Sequence, residues 1–134
     1  MSFQFSTAVR NALLDAIETA IGTSATLEIR SGAAPANCGT ADSGTVLATI
    51  VLPADWMAAA SGGSKTLLGT WQDTSADATG TAGYFRIKDG TSVCHIQGSI
   101  TATGGGGDMT LDNTSLAAGQ TVTITSFTLN AGGA

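Results

Sequence analysis

The spacing of apolar residues changes once along this chain, and the change limits the folds that it can adopt. Between Thr7 and Ile21 apolar side chains recur every three to four residues, the period of one face of an α-helix. From Thr26 onward they alternate with polar residues, beginning with the stretch TLEIRS, which is typical of half-buried strands. The sequence therefore predicts one N-terminal helix followed by a body made of strands.

The helix is expected to begin after Ser6, whose hydroxyl can cap it, and to stop at Gly22. Its apolar stripe should dock on the body, and it consists of Val9, Leu13, Ile17 and Ile21, widened by Ala12, Ala16 and Ala20. Asp15 and Glu18 lie off this stripe. The pattern therefore predicts that both carboxylates are solvated and do not flank a substrate.

Turn residues divide the remainder into about seven to eight strands. A long loop is expected at 31–44, and the doubly apolar run Val46–Leu52 predicts a central strand. The segment 54–64 could hold one short helical turn. The clearest hairpin covers residues 84–98, and a change of apolar parity near Ser126 predicts a β-bulge.

This order of elements favours a mainly β fold: a single antiparallel β-sandwich or jelly roll with one N-terminal α-helix. A chain of 134 residues fits one domain and can bury about two-thirds of its unfolded surface. No repeat or linker divides it. We therefore treat 1–134 as one domain, with an arm and helix over about 1–22 and a sandwich over about 26–131.

Charge and hydropathy exclude several partners. Ten acidic residues face five scattered basic ones, a formal net charge of -5, so direct nucleic-acid binding is not expected. The longest apolar run is far shorter than the roughly 20 residues of a membrane-spanning helix. The N-terminus lacks a basic segment followed by an apolar one, so we expect no signal peptide and folding in a cytoplasm.

The residues that could carry catalysis are few. His95 is the only histidine, and in a regular strand it points away from Cys94, which would share a face with Ile96. Cys38 and Cys94 could make one disulfide, but the sequence does not show that they meet, and a reducing cytoplasm argues against it. We expect both thiols to be reduced, and we expect neither an enzyme nor a bound metal or cofactor.

The stretch TATGGGGDMTLDN raises the question of a phosphate or calcium loop. No Lys-Ser/Thr pair follows Gly104–Gly107, as a phosphate loop would require. In a strand, Asp108 and Asp112 would lie about 13 Å apart at ~3.3 Å per residue, too far for one calcium ion. The run therefore predicts a bend, with Asp108 as a turn residue and Met109 and Leu111 returning to the core.

Aromatic residues are the remaining candidates for recognition. Phe3, Phe5 and Trp56 lie outside the regular strands, so partner contact and core packing are both open for them. The sequence favours a core position for Trp71, Phe85 and Phe127.

Four segments resemble a known family: SGAAPANC, LPADWMAAASGG, FRIKD and GGGGDMTLDNTSLAAGQTVTITSFTLNAG. They are similar to small proteins encoded among the virion structural genes of tailed bacteriophages, and to the capsid cement (decoration) proteins of certain short-tailed phages. The latter are β-sandwich or jelly-roll dimers on the outer shell that bridge major capsid subunits. The resemblance implies a non-enzymatic protein that assembles in the host cytoplasm as a homodimer or other homo-oligomer and binds the major capsid protein on the outer surface of the virion.

Two other functions stay open at this stage. One is a carbohydrate- or receptor-binding module of a phage tail or fibre, in which Trp56, Trp71 or Tyr84 stacks on a sugar. The other is a hydrolase, which would have to depend on His95.

Overall fold

The structure is a computed structural model of the chain, and it describes residues 3–134. The helix α1 spans Thr7–Ile21, as predicted. The Ser6 hydroxyl accepts a hydrogen bond from the Val9 amide at 3.2 Å, and Gly22 ends the helix at a φ of 91°. Within residues 3–134, no helix has the length and apolar character needed to cross a membrane.

Ten strands follow the helix, more than the predicted seven to eight, and six of them have three residues or fewer. They are β1 (Thr26–Ser31), β2 (Val46–Val51), β3 (Ser64–Thr66), β4 (Trp71–Asp73), β5 (Gly80–Lys88), β6 (Cys94–Ala102), β7 (Met109–Leu111), β8 (Ser115–Leu116), β9 (Val122–Ile124) and β10 (Thr128–Asn130). The mainly β architecture with one N-terminal helix is confirmed.

The main sheet has the strand order β2-β1-β5-β6-β7, and β8 also pairs with β5. Two small sheets, β10-β3 and β4-β9, complete the body. The prediction of a purely antiparallel sheet is wrong, because β6 and β7 pair in parallel, with Ile100 opposite Met109. The glycine run between these two strands makes this close parallel return possible. The predicted hairpin at 84–98 is confirmed as β5 and β6.

The core lies on one face of the main sheet. Leu27, Ile29, Phe85 and Ile87 are at most 1% exposed there. Trp56, Trp71 and Phe127 form an aromatic chain next to them, with successive ring centroids 6.1 and 5.7 Å apart. The predicted core positions of Trp71, Phe85 and Phe127 are confirmed.

Strand β2 is an edge of the main sheet, so its prediction as a central strand is wrong. The end of β4 and the segment that follows it cover this edge. Asp73 accepts the Thr49 amide at 3.0 Å, and Asp77 accepts the Thr49 hydroxyl at 2.7 Å. Covering an edge strand opposes its pairing with another chain, so the apolar character of β2 does not make it an open edge.

Two local predictions also fail. The segment 54–64 contains no helical turn, because Met57 forms a β-bridge with Leu67 and the chain then turns back at Ser61. No bulge occurs at Ser126. Instead the chain leaves the sheet of β9 there and joins the sheet of β10, so each side of the break keeps its own buried face.

Candidate functional site

All five cations of the chain point into the protein. Each is buried or half-buried: Arg10, Arg30, Lys65, Arg86 and Lys88. The part of the chain that the structure describes therefore exposes no lysine or arginine, while Asp55, Asp77 and Asp112 are exposed. The charge on the outside of the protein is acidic, so a phosphate backbone would meet no exposed lysine or arginine on residues 3–134.

Lys65 joins the body to the helix. Its Nζ lies 2.6 Å from Asp15 Oδ1 and 3.0 Å from Glu18 Oε1, and its side chain is 2% exposed. The same carboxylates accept the amides of Ala60 and Met57. The prediction that both carboxylates are solvated is therefore wrong for Glu18, which is 18% exposed, whereas Asp15 pairs with the buried ammonium group and keeps 49% of its side chain exposed.

An open groove between α1 and the segment 54–59 is lined by Lys65 and its two carboxylate partners, Asp15 and Glu18. Burial acts to lower the pKa of Lys65, but hydrogen bonds to Asp15 and Glu18 outweigh it and raise the pKa above 10.5. The lysine stays protonated at neutral pH, so it cannot act as a nucleophilic amine. The ion pairs of this groove hold the helix on the body.

With these carboxylates docked on Lys65, part of the apolar stripe of the helix faces outward. Val9 is 44% and Leu13 is 49% exposed, whereas Leu14 and Ile21 are buried. The prediction that the stripe docks on the body is right for Ile17 and Ile21, and it is wrong for Val9, Leu13 and the alanines at 12, 16 and 20. We call the exposed surface the outer helix face, formed by Val9, Ala12, Leu13, Ala16 and Ala20. None of these side chains is charged.

The N-terminal arm, residues 3–6, leads into this helix and lies beside the C-terminus. Phe3 is 78% and Phe5 is 40% exposed, and their rings meet edge to face with centroids 5.4 Å apart. The Phe5 amide donates to the Gly133 carbonyl at 2.6 Å. Two of the three aromatic residues considered for partner contact therefore lie on the surface.

The third, Trp56, is fully buried and donates its indole N–H to the Gly22 carbonyl at 3.0 Å. It therefore supports the end of α1 and offers no surface to a partner. Trp71 and Tyr84 are also fully buried. The Tyr84 hydroxyl donates to the Ser43 carbonyl at 2.6 Å. These three rings present no face on which a sugar could stack.

A second group of charges lies on the polar face of the main sheet, under the loop 32–44. Asp42, on this loop, contacts Arg30 at 3.2 Å, Arg86 at 2.8 Å and Lys88 at 2.7 Å. Glu28 completes the group by pairing with Arg30 and Lys88. We call these five residues the Asp42 cluster. It holds the loop on the sheet, and three of the five lysine and arginine side chains of the chain form ion pairs within it.

Cys38 and Cys94 lie beside the Asp42 cluster. Both are free thiols, half-buried, and they line one cavity together with Arg86 and Lys88. Sequence reasoning missed this meeting because it assumed a regular strand. The register shifts in the hairpin, so that Ile96 opposes Ile87 while Cys94 opposes Lys88. Cys94 therefore lies on the polar face and not with Ile96.

His95 is exposed, as expected, and its Nε2 lies 2.8 Å from Asp89 Oδ2. Asp89 also accepts hydrogen bonds from Thr91 and from the Val93 amide. The bond with His95, followed by those with Thr91 and Val93, holds the pKa of Asp89 well below its usual 3.8. This histidine and aspartate hold the β5–β6 turn together, and no nucleophilic side chain is bonded to the ring within residues 3–134.

The glycine run forms a tight return, as predicted. Asp108 Oδ2 accepts hydrogen bonds from the amide and hydroxyl of Ser99 at 3.0 and 3.2 Å. The Gly107 amide donates to the Thr101 hydroxyl at 2.9 Å, and Met109 and Leu111 return to the core. Residues 3–134 contain no group of three or more His, Cys, Asp or Glu side chains placed to hold a metal ion.

Comparison with known proteins identifies no relative of this chain. No protein-family model, curated protein or solved structure matches the chain. Function therefore has to be argued from the surfaces and side chains described above.

Proposed function

We propose that this chain is a non-enzymatic capsid cement protein, which binds the outer surface of a tailed-phage head and bridges major capsid subunits. The observation that carries the proposal is the outer helix face. It is an exposed, uncharged and largely apolar surface on a protein that turns all of its cations inward.

Such a surface fits a protein partner better than a small molecule. Small-molecule sites are concave and hold a few converging polar groups, whereas the outer helix face is convex and has none. Exposed apolar side chains grouped on one surface mark protein interaction sites, and aromatic residues are enriched there. Phe3 and Phe5 extend the apolar character along the arm that enters the helix.

The modest size of this surface agrees with a repeated lattice. One helix face binds weakly by itself, because association has to offset the lost freedom of both partners. A homo-oligomer that contacts several capsid subunits gains affinity from the second and later contacts, since these become intramolecular. We therefore propose a homodimer or other homo-oligomer whose partner is the major capsid protein.

The arrangement of the sheets is compatible with the cement proteins that the sequence resembles. We propose that the main sheet and the two small sheets pack as a β-sandwich of the jelly-roll type. Trp71 on β4 and Ile124 on β9 share one hydrophobic cluster with Phe85 on β5, which supports packing between sheets.

The test is a cryo-electron microscopy reconstruction of the virion whose genome encodes this chain. We expect density for residues 3–134 on the outer surface of the head, in contact with more than one major capsid subunit. Density at the tail tip or fibre, or none in the virion, would contradict the proposal. A tail position would favour the receptor-binding alternative, although the rings of Trp56, Trp71 and Tyr84 are buried.

A further inference from the structure

The register shift in the β5–β6 hairpin determines on which face of the sheet Cys94 lies. Residues that oppose each other in an antiparallel pair project to the same face of the sheet. Cys94 opposes Lys88, whose ammonium group bonds to Asp42 at 2.7 Å on the polar face. The Cys94 thiol is therefore on the face that the loop 32–44 covers.

The position of Cys38 is set by anchors on both sides of it in sequence. The carbonyl of Asn37 accepts a hydrogen bond from Arg86 Nη2 at 3.1 Å. Asp42 bonds to Arg86 and Lys88. Since both anchors reach β5, and β5 is paired with the strand that carries Cys94, the loop holds Cys38 over the same part of the sheet.

The two thiols therefore share one cavity although they are far apart in the sequence. Both are half-buried, and no disulfide joins them in this structure. Burial, followed by the neighbouring Cys38 thiol, raises the pKa of Cys94 to about 12. The shared cavity and the anchors of the loop on β5 therefore place the two side chains close together.

We propose that Cys38 and Cys94 are an oxidation site that closes to an intramolecular disulfide in the folded protein when a small-molecule disulfide is present. The Cys38 thiolate attacks the reagent, forms a mixed disulfide and releases one reagent thiol. The Cys94 sulfur then displaces the second reagent thiol and forms the Cys38–Cys94 bond. Two protein thiols lose two electrons and two protons, and the reagent disulfide gains both to become two thiols.

The bond would tie the loop 32–44 covalently to β6. At present this loop is held by hydrogen bonds and ion pairs, which weaken when the carboxylates of the Asp42 cluster are protonated. A crosslink between positions so distant in sequence restricts the unfolded chain and stabilises the folded one. The oxidised protein should therefore unfold at a higher temperature than the reduced protein. This inference does not depend on the proposed capsid function.

The experiment incubates the folded, reduced full chain with oxidised glutathione and follows the free thiols and the intact mass. We expect both free thiols to be lost while the mass of the protein shows no attached glutathione. The product should be a monomer on non-reducing electrophoresis and should yield a proteolytic fragment that joins Cys38 to Cys94. Closure should be faster in the folded chain than in the chain unfolded in urea. The oxidised product should also show a raised unfolding temperature that a reductant reverses.

Cys38→Ser and Cys94→Ser are the matched controls, and each should stop at a free thiol or a mixed disulfide. Stable glutathione adducts on both cysteines of the unsubstituted chain, intermolecular dimers, or thiols that stay unreacted would each overturn the proposal. Closure that is no faster in the folded chain than in urea would also overturn it, because the fold would then not bring the thiols together.

Discussion

Lys65 Nζ lies 2.6 Å from Asp15 Oδ1, on a lysine side chain that is only 2% exposed. This contact, together with that of Glu18, determines how α1 sits on the body. A buried ammonium group without a carboxylate partner is strongly unfavourable, so the helix keeps both carboxylates in reach of Lys65 while Leu14 and Ile21 are buried. The apolar residues on the other side are left in solvent, and this orientation creates the outer helix face.

The first prediction concerns Glu18. Glu18→Gln removes a carboxylate that is 18% exposed and lies 3.0 Å from Lys65 Nζ, so the free energy of unfolding should fall by about 2 kcal/mol. Urea unfolding measures this change. Asp55→Asn is the matched control, because Asp55 lines the same groove but forms no ion pair within residues 3–134; it should change stability by less than about 0.5 kcal/mol. Equal effects would contradict the role assigned to Lys65.

The second prediction concerns the acid side of the stability profile. A hydrogen bond from Lys88, helped by Arg30 and Arg86, outweighs burial and holds the pKa of Asp42 below its usual 3.8. Because the folded pKa is the lower one, this stabilisation is complete above about pH 4 and is lost as the pH falls through the folded pKa. Urea unfolding between pH 2 and 6, with about one measurement per half pH unit, gives the free energy of unfolding at each pH. As the pH falls, this free energy should decrease less for Asp42→Asn than for the unsubstituted chain. The same loss in both chains would be evidence against the cluster.

The second prediction also covers the basic side of the same stability profile, which depends on Lys88. Burial lowers the pKa of Lys88, but hydrogen bonds to Asp42 and Glu28 outweigh it and raise the pKa above 10.5. This contribution is complete below about pH 10.5 and is lost as the pH rises through the folded pKa. Lys88→Met should therefore show less loss of stability than the unsubstituted chain above pH 10.5. An unchanged alkaline profile in this variant would contradict the assignment.

The third prediction separates the roles of two glycines in the run. A Cβ on Gly107 would lie 2.8 Å from the Thr101 amide nitrogen, which cannot move without disturbing β6, so Gly107→Ala should cost about 2 kcal/mol or more. Gly104 has a φ of 88° with open space around it, so Gly104→Ala should cost about 1 kcal/mol. Gly132→Ala, which meets no atom within 4 Å, should be nearly neutral. Thermal unfolding ranks the three variants, and a neutral Gly107→Ala would contradict the tight return.

The fourth prediction compares two neighbouring leucines. Leu14 is 2% exposed, so Leu14→Ala should lower the free energy of unfolding by about 2–4 kcal/mol. Leu13 is 49% exposed, so Leu13→Ala should change it by less than about 0.5 kcal/mol. Circular dichroism during urea unfolding measures both. If Leu13→Ala destabilises the protein as much as Leu14→Ala, the apolar stripe faces the body after all.

The sequence predicted those parts of the fold in which a periodic pattern runs over many residues. The bounds of α1, the β5–β6 hairpin and the buried position of Phe85 all follow from such patterns. The two small sheets do not, because strands of three residues, such as β3 and β10, are too short to show a period. Their pairing depends on contacts between distant parts of the chain.

The candidate surfaces were harder to predict for two reasons. An apolar stripe normally faces the body, but here only Ile17 and Ile21 of the stripe pack on it, while Val9 and Leu13 are exposed because the helix also brings Asp15 and Glu18 to the buried Lys65. One signal was present: Lys65 has the same parity as Leu67 and Trp71, which predicts that it points inward. Cys38 and Cys94 lie in one cavity because of a single register shift in the β5–β6 hairpin. No pattern of residues in the sequence predicts this shift.

The central claim is that the outer helix face binds the capsid, and Leu13→Lys tests it most directly. The measurement is the occupancy of shells that lack the protein, determined by co-sedimentation over a range of protein concentrations. Thr123→Lys is the matched control, because it adds the same charge at an exposed position on β9 and not on α1. We predict that Leu13→Lys leaves the unfolding temperature unchanged and weakens binding about tenfold or more, while Thr123→Lys binds normally. Full occupancy by a folded Leu13→Lys protein would contradict the claim.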